Sequence, residues 1–172
     1  EIRRVCREIL DAGAINFWMH DPGKYARREA ERSGHVIRYN LIADLHGCSV
    51  DDNCELLPSP HVNAIYLDNM CANCFIYGNI VARCGTGIWM NMSKNNFIEN
   101  NVFVDCKWGF WCGAWHPTFS KNYGFATGNH FCRNIVYRTQ SGAGVYGLND
   151  HGGNDPFERM LAQNDANILF NA

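Results

Sequence analysis

Asn79-Ile80-Val81-Ala82 returns one short period later as Asn101-Val102-Phe103-Val104. The same phrase, an asparagine followed by two or three apolar residues, also reads Asn40-Leu41-Ile42-Ala43, Asn134-Ile135-Val136-Tyr137 and Asn167-Ile168-Leu169-Phe170. Self-similarity on a period of roughly 20–50 residues marks a solenoid, whose turns bury their apolar sides only against one another. The interval from Asn79 to Asn101 is the shortest, and the longer ones then hold one turn plus an inserted loop. Aligned on the asparagine, the positions three before it read Ile37, Ile76, Ile98 and Phe131. The positions four after it read Asp44, Arg83, Asp105, Arg138 and Asn171, a column in which the charge alternates. Asparagine itself is abundant, and it can stack into hydrogen-bonded ladders when the same position repeats at strand spacing.

A second short strand recurs as Ile15-Asn16-Phe17, Ile65-Tyr66-Leu67, Ile88-Trp89-Met90, Phe110-Trp111-Cys112 and Val145-Tyr146-Gly147. Alternation along a strand turns the first and third residues to one face and the middle one to the other. Tyr66, Trp89, Trp111 and Tyr146 are therefore expected to form an outward aromatic column. Apolar runs of three to five residues, rich in Ile, Val and Phe, argue against a helical solenoid. The expected fold is all-β, one parallel β-helix domain over residues 1–172, with about five to six rungs. Three segments interrupt it: a short helix around Lys24–Arg32, a loop over residues 46–62 holding Pro58 and Pro60, and an insertion over 113–128. Insertions in solenoids tend to gather on the binding face.

Bulk properties narrow the function. With 15 Lys and Arg against 17 Asp and Glu, no basic excess supports nucleic-acid binding. No apolar run is long enough for a membrane-spanning helix. The chain starts at Glu1 without a signal-like segment, and is expected to be a piece of a longer protein. Oligomeric state is left open. Nine cysteines leave at least one unpaired within the chain. Cys84 and Cys106 occupy the same place in successive repeats, which suits a buried thiol ladder, with a disulfide scaffold as the alternative.

The phrases Asp11-Ala12-Gly13-Ala14-Ile15, Ile37-Arg38-Tyr39-Asn40-Leu41-Ile42-Ala43-Asp44, Ala64-Ile65-Tyr66-Leu67-Asp68 and Asn96-Phe97-Ile98-Glu99-Asn100-Asn101-Val102-Phe103-Val104-Asp105 resemble right-handed parallel β-helix proteins of the pectate-lyase-like superfamily. Within it they look most like bacterial carbohydrate-active β-helix proteins. The resemblance covers residues 9–112 best. It implies a right-handed helix, a polysaccharide or oligosaccharide partner, and a location outside the cytoplasm, extracellular or periplasmic. It is less specific for reaction, because this architecture carries hydrolases, lyases and non-catalytic binding or structural proteins.

Glycosidases generally set two carboxylates about the scissile bond. The acids at strand ends are the candidates: Asp68 first, with Asp44 or Asp11 as partner, and glycoside hydrolysis is the leading expectation. Polysaccharide lyase chemistry through Arg83 or Lys94 and a non-catalytic glycan-binding β-helix are the alternatives. Tyr66, Trp89, Trp111 and Tyr146 are the candidate sugar-binding column, either exposed to ligand or covered by inserted loops. His46 and His20, close in sequence to Asp44 and Asp21, are candidates to assist a carboxylate or simply loop residues. Trp108, Trp115 and His116 in the third insertion suit either purpose. No zinc-type pairing of ligands is present and no cofactor is expected. Asp51-Asp52-Asn53 offers oxygen ligands to calcium or is a solvated loop.

Overall fold

The computed structural model describes residues 1–7, 9, 11–18, 34–59, 61–113, 126–139, 142, 144–149 and 156–171. The chain advances by rungs. The first holds β1 (Ile2–Arg3), β2 (Ala12–Trp18) and β3 (Val36–Arg38). The second holds β4 (Leu41–Leu45), the pair β5 (Gly47–Val50) and β6 (Leu56–Ser59), then β7 (Val62–Asp68) and β8 (Phe75–Tyr77). The third is the uninterrupted one: β9 (Ile80–Cys84), β10 (Thr86–Asn91) and β11 (Phe97–Glu99). The fourth holds β12 (Val102–Val104), β13 (Trp108–Gly113) and β14 (Asn129–Cys132). The fifth holds β15 (Ile135–Arg138), β16 (Gly144–Asn149), a helix α1 (Pro156–Met160) and β17 (Leu161–Asp165), and β18 (Ile168–Asn171) begins another turn.

Three parallel sheets result. Sheet A stacks β1-β4-β9-β12-β15-β18, sheet B stacks β2-β7-β10-β13-β16 and sheet C stacks β3-β8-β11-β14-β17. This is a parallel β-helix, as the repeats imply. Inward columns fill its core: Ile42, Val81, Phe103 and Val136 from sheet A, Ile65, Ile88 and Phe110 from sheet B, and Ile37, Ile76, Ile98 and Phe131 from sheet C. Each of these side chains is buried, so a polar substitution in any column would strand a desolvated group.

The corners explain the asparagines. Tyr39, Gly78, Asn100, Arg133 and Ala166, each just before a repeat asparagine, all have φ between 54° and 65°. That left-handed conformation costs a residue with a Cβ roughly 1 kcal/mol, and it turns the chain from sheet C to sheet A. The following asparagine then bonds to its copy one rung on. Asn79 donates from its backbone N to Asn101 Oδ1 at 3.0 Å and from Nδ2 to the same atom at 2.9 Å. Asn40 does the same to Asn79, Asn101 to Asn134, and Asn134 to Asn167. The remaining amide hydrogens go back to carbonyls of the preceding turn, Ile37 O from Asn79 and Ile76 O from Asn101. All five repeat asparagines are thus superposed. A second, shorter ladder at the corner before sheet C runs from Cys74 N to Asn96 and from Asn96 to Asn129.

Several expectations about inserted segments are corrected or fall elsewhere. Residues 47–59 are an antiparallel hairpin rather than a loop, with Pro58 opposite Cys48. Proline is tolerated there because a two-stranded hairpin consists of edge strands. Asp51 Oδ1 closes its turn by accepting from Asn53 N and Glu55 N. The short helix expected around Lys24–Arg32 lies outside the described residues, as do His20, Trp115 and His116; the helix that is described, α1, sits just before β17. The nine cysteines are free thiols, and Cys71, Cys74, Cys84, Cys106, Cys112 and Cys132 are buried. The hydrogen bond between Cys84 and Cys106 pushes the Cys84 thiol up, the thiol ladder that the repeat alignment anticipates.

Asn101 serves four bonds inside the stack, whereas Asn40 stands at its beginning and is only half-buried. Asn101→Ala should therefore cost about 2–4 kcal/mol in urea unfolding, since it leaves the Asn79 N–H buried and unpaired. Asn40→Ala should cost about 1 kcal/mol or less. Equal losses would contradict the ladder.

Candidate ligand-binding cleft

The outer face of sheet B builds the site. At one register position it carries Asn16, Tyr66, Trp89, Trp111 and Gly147. Tyr146 is not in this column. It pairs with Phe110, is half-buried, meets Phe131 edge-on at 5.4 Å and bonds through its hydroxyl to Asn164 Oδ1 at 2.9 Å. The sequence alignment is one residue out in the fifth rung, and a slip of one residue exchanges the two faces of a strand. The cause is steric. Trp111 lies over Gly147 and Trp108 over Gly144: a Cβ at either glycine would come within 2.2 Å or 1.8 Å of the indole. Only glycine fits beneath either ring, so Gly144 and Gly147 fix the register.

The column is not a row of open ring faces. Trp111 stacks on Trp89 with centroids 3.8 Å apart and planes within 15°. Trp111 therefore covers one face of Trp89 and is itself backed by Gly147. Tyr66, 7 % exposed, and His61 each meet Trp89 nearly perpendicular, at 6.4 Å. Next to this group opens a cleft of about 580 Å³, lined among the described residues by Asp11, His61, Tyr66, Asp68, Asn69, Trp89 and Asn91. Its size is typical of a site for a small organic ligand.

Asp68, Tyr66 and Asn91 reach the cleft for simple reasons of strand geometry. Asp68 stands two residues after Tyr66 at the end of β7 and so shares its outward face. Asn91 ends β10 and occupies the rung above Asp68, to whose Oδ1 it donates from Nδ2 at 2.9 Å. The Tyr66 hydroxyl lies beside the Asp68 and Asp11 carboxylates, and burial, together with these two charges, raises its pKa strongly. Burial also raises the Asp68 carboxyl, against the lowering effect of the Asn91 bond, and Asp11 adds repulsion. Asn91 is 4 % exposed and its Oδ1 has no hydrogen-bond partner. A buried acceptor left open at the wall of a cleft can receive a donor from whatever enters it.

Two further candidates are elsewhere. Asp44 is the penultimate residue of β4, has φ 60°, and pairs with Arg83, Nε to Oδ1 2.5 Å, and with Arg3 at 3.7 Å. The Arg83 hydrogen bond holds its carboxyl below the usual range. Asp44 thus belongs to the charge ladder on sheet A, and it is not among the cleft residues. His46 is exposed just before β5 and does not line the cleft either. Of the three acids singled out in the sequence, Asp68 and Asp11 come together and Asp44 stays apart. His61 and Asn91 escape the sequence reading. Asn91 is legible in principle, because extending the aligned triplets by one position puts it over Asp68.

The three stacked sheets define a parallel β-helix of the pectate-lyase-like class. A protein family described as "Periplasmic copper-binding protein (NosD)" matches residues 38–171, and the chain belongs to this family, whose members are right-handed parallel β-helices. The family's location is periplasmic, in agreement with a place outside the cytoplasm, and no described helix is long and apolar enough to cross a membrane. No curated protein and no solved structure matches the chain. Among the described residues no three His, Cys, Asp or Glu side chains converge on a point that could hold a metal ion. His20, His116 and His151 lie outside the described residues.

The two acids should titrate on opposite sides of 3.8, the ordinary carboxylate value. Asp68, raised, contributes stability at low pH that is lost as pH climbs through its folded value. Asp44, lowered, contributes stability that is lost only as pH falls through its own. Carbon-13 carboxyl titration by NMR checks this, and an Asp68 midpoint below that of Asp44 would contradict it. Asp68→Asn should flatten the decline in stability that runs from 3.8 up through the folded midpoint of Asp68.

Proposed function

We propose that this chain is a glycan-binding β-helix protein that seats a sugar against Trp89 in the cleft on sheet B. The observation that carries this is the pairing of one half-open indole with acceptors fixed around it. Asp11, Asp68 and Asn91 Oδ1 are placed to accept from sugar hydroxyls, and the ring of Trp89 offers an apolar surface to the C–H face of a pyranose. Tyr66 acts through its hydroxyl, as a positioning residue for both carboxylates, rather than through its buried ring. Trp111 supports Trp89 from behind. A family described by what its members bind, rather than by a reaction, favours binding over catalysis.

Hydrolysis is the second reading, favoured by one observation: a buried carboxyl with a raised pKa lies near another carboxyl on the neighbouring rung. In that case Asp68 donates a proton to the leaving oxygen and Asp11 acts as base or nucleophile.

Isothermal titration against a panel of neutral and acidic oligosaccharides separates the readings. Wild type should bind, and Trp89→Ala should weaken binding by tenfold or more, about 1.4 kcal/mol. Asp68→Asn should weaken binding with no product formed by either protein. Release of reducing ends by wild type and not by Asp68→Asn would move the assignment to hydrolysis. No binding to any member of the panel would reject a glycan ligand.

A further inference from the structure

A smaller cavity of about 150 Å³ adjoins the cleft, lined among the described residues by His61, Thr86, Trp89, Lys107, Trp108 and Trp111. His61 and Trp89 border both spaces. Their polarity is opposite. The cleft has two carboxylates and the open Asn91 Oδ1, all acceptors when the acids are ionised. Among the described residues the niche has no carboxylate in its wall. Its ammonium and indole N–H groups can only donate, and a serine-like hydroxyl such as that of Thr86 can donate as well.

Two features show that the niche is built. Thr86 is 1 % exposed and its Oγ1 has no hydrogen-bond partner, so a buried hydroxyl stands open at the wall. The backbone that carries the cation is pinned on both sides: Lys107 N donates to Cys84 O at 3.2 Å, and Gly144 N donates to Lys107 O at 2.8 Å. Lys107 forms no ion pair among the described residues. The volume equals about five waters at about 30 Å³ each, enough for a carboxylate and the carbon bearing it.

Resting on the glycan reading above, we infer that the ligand is a heteroglycan in which an uncharged or amino sugar occupies the acidic cleft and the next sugar is carboxylated, its carboxylate entering the niche to accept from Lys107 and Thr86. A uniform polyuronate fits less well, because its carboxylate in the cleft would face Asp11 and Asp68.

The test titrates the chain with a hyaluronan octasaccharide, in which N-acetylhexosamine and uronate alternate, with its carboxyl-reduced counterpart, and with an oligogalacturonate of equal length. Wild type should prefer the alternating acid over both others by about tenfold, the value of one charge-assisted hydrogen bond. Lys107→Gln, an exposed position, should bring the alternating acid down to the level of its reduced form and leave the reduced form unchanged. Lys107→Arg should retain the preference. Equal affinity for the acid and its reduced form, or tightest binding of the oligogalacturonate, overturns the inference and leaves glycan binding standing. Failure of neutral and acidic sugars alike would instead remove the reading beneath it.

Discussion

The amide ladder is the interaction on which the rest depends. Each rung must turn sharply three times, and it does so with residues in the left-handed region, among them Tyr39, Arg83 and Arg133, which carry bulky side chains. Such corners are unfavourable in isolation. The asparagine that follows one corner of each turn offsets the cost by satisfying its own donors and acceptor within the stack: Asn101 alone joins Asn79, Ile76 and Asn134. The ladder also sets register, because an amide chain from Asn40 to Asn167 admits no slip of one rung against the next.

Register in turn makes the site. Asp11 and Asp68 are far apart in sequence, yet both line the cleft beside Tyr66 because β2 and β7 are paired in sheet B. Trp89 and Trp111, one rung apart, stack because β10 and β13 are in register. The place where Gly144 and Gly147 stand beneath indoles is where sequence alignment and structure part. The hairpin β5–β6 enters sheet B in the second rung, and the other long connections leave it in the first, fourth and fifth rungs. Every interruption of the regular turn thus borders the sheet that carries the cleft.

The fold is legible because the ladder needs one residue type at a fixed place, and five asparagines with apolar neighbours cannot be mistaken for a helix. The second ladder is harder to see, since its first member is Cys74 and only Asn96 and Asn129 repeat. The acids at strand ends are visible, but sequence alone does not say which sheet a strand end joins. Asp44 stands near the end of a sheet A strand and pairs with arginines, whereas Asp68 ends a sheet B strand and lines the cleft. Tyr146 is misplaced because alternation is read from local apolarity, and the glycines that set its register act through contacts with another rung. His61 carries no signal, because its role comes from standing beside Trp89 across an insertion.

The superposed asparagines are open to direct observation. Hydrogen exchange of the side-chain amides of Asn79, Asn101 and Asn134, followed by NMR, should be slowed to the rate of global unfolding, with nuclear Overhauser contacts linking each amide to the next. Exchange at the rate of a free asparagine amide, with no contact between Asn79 and Asn101, would contradict the stacked rungs and with them the cleft they assemble.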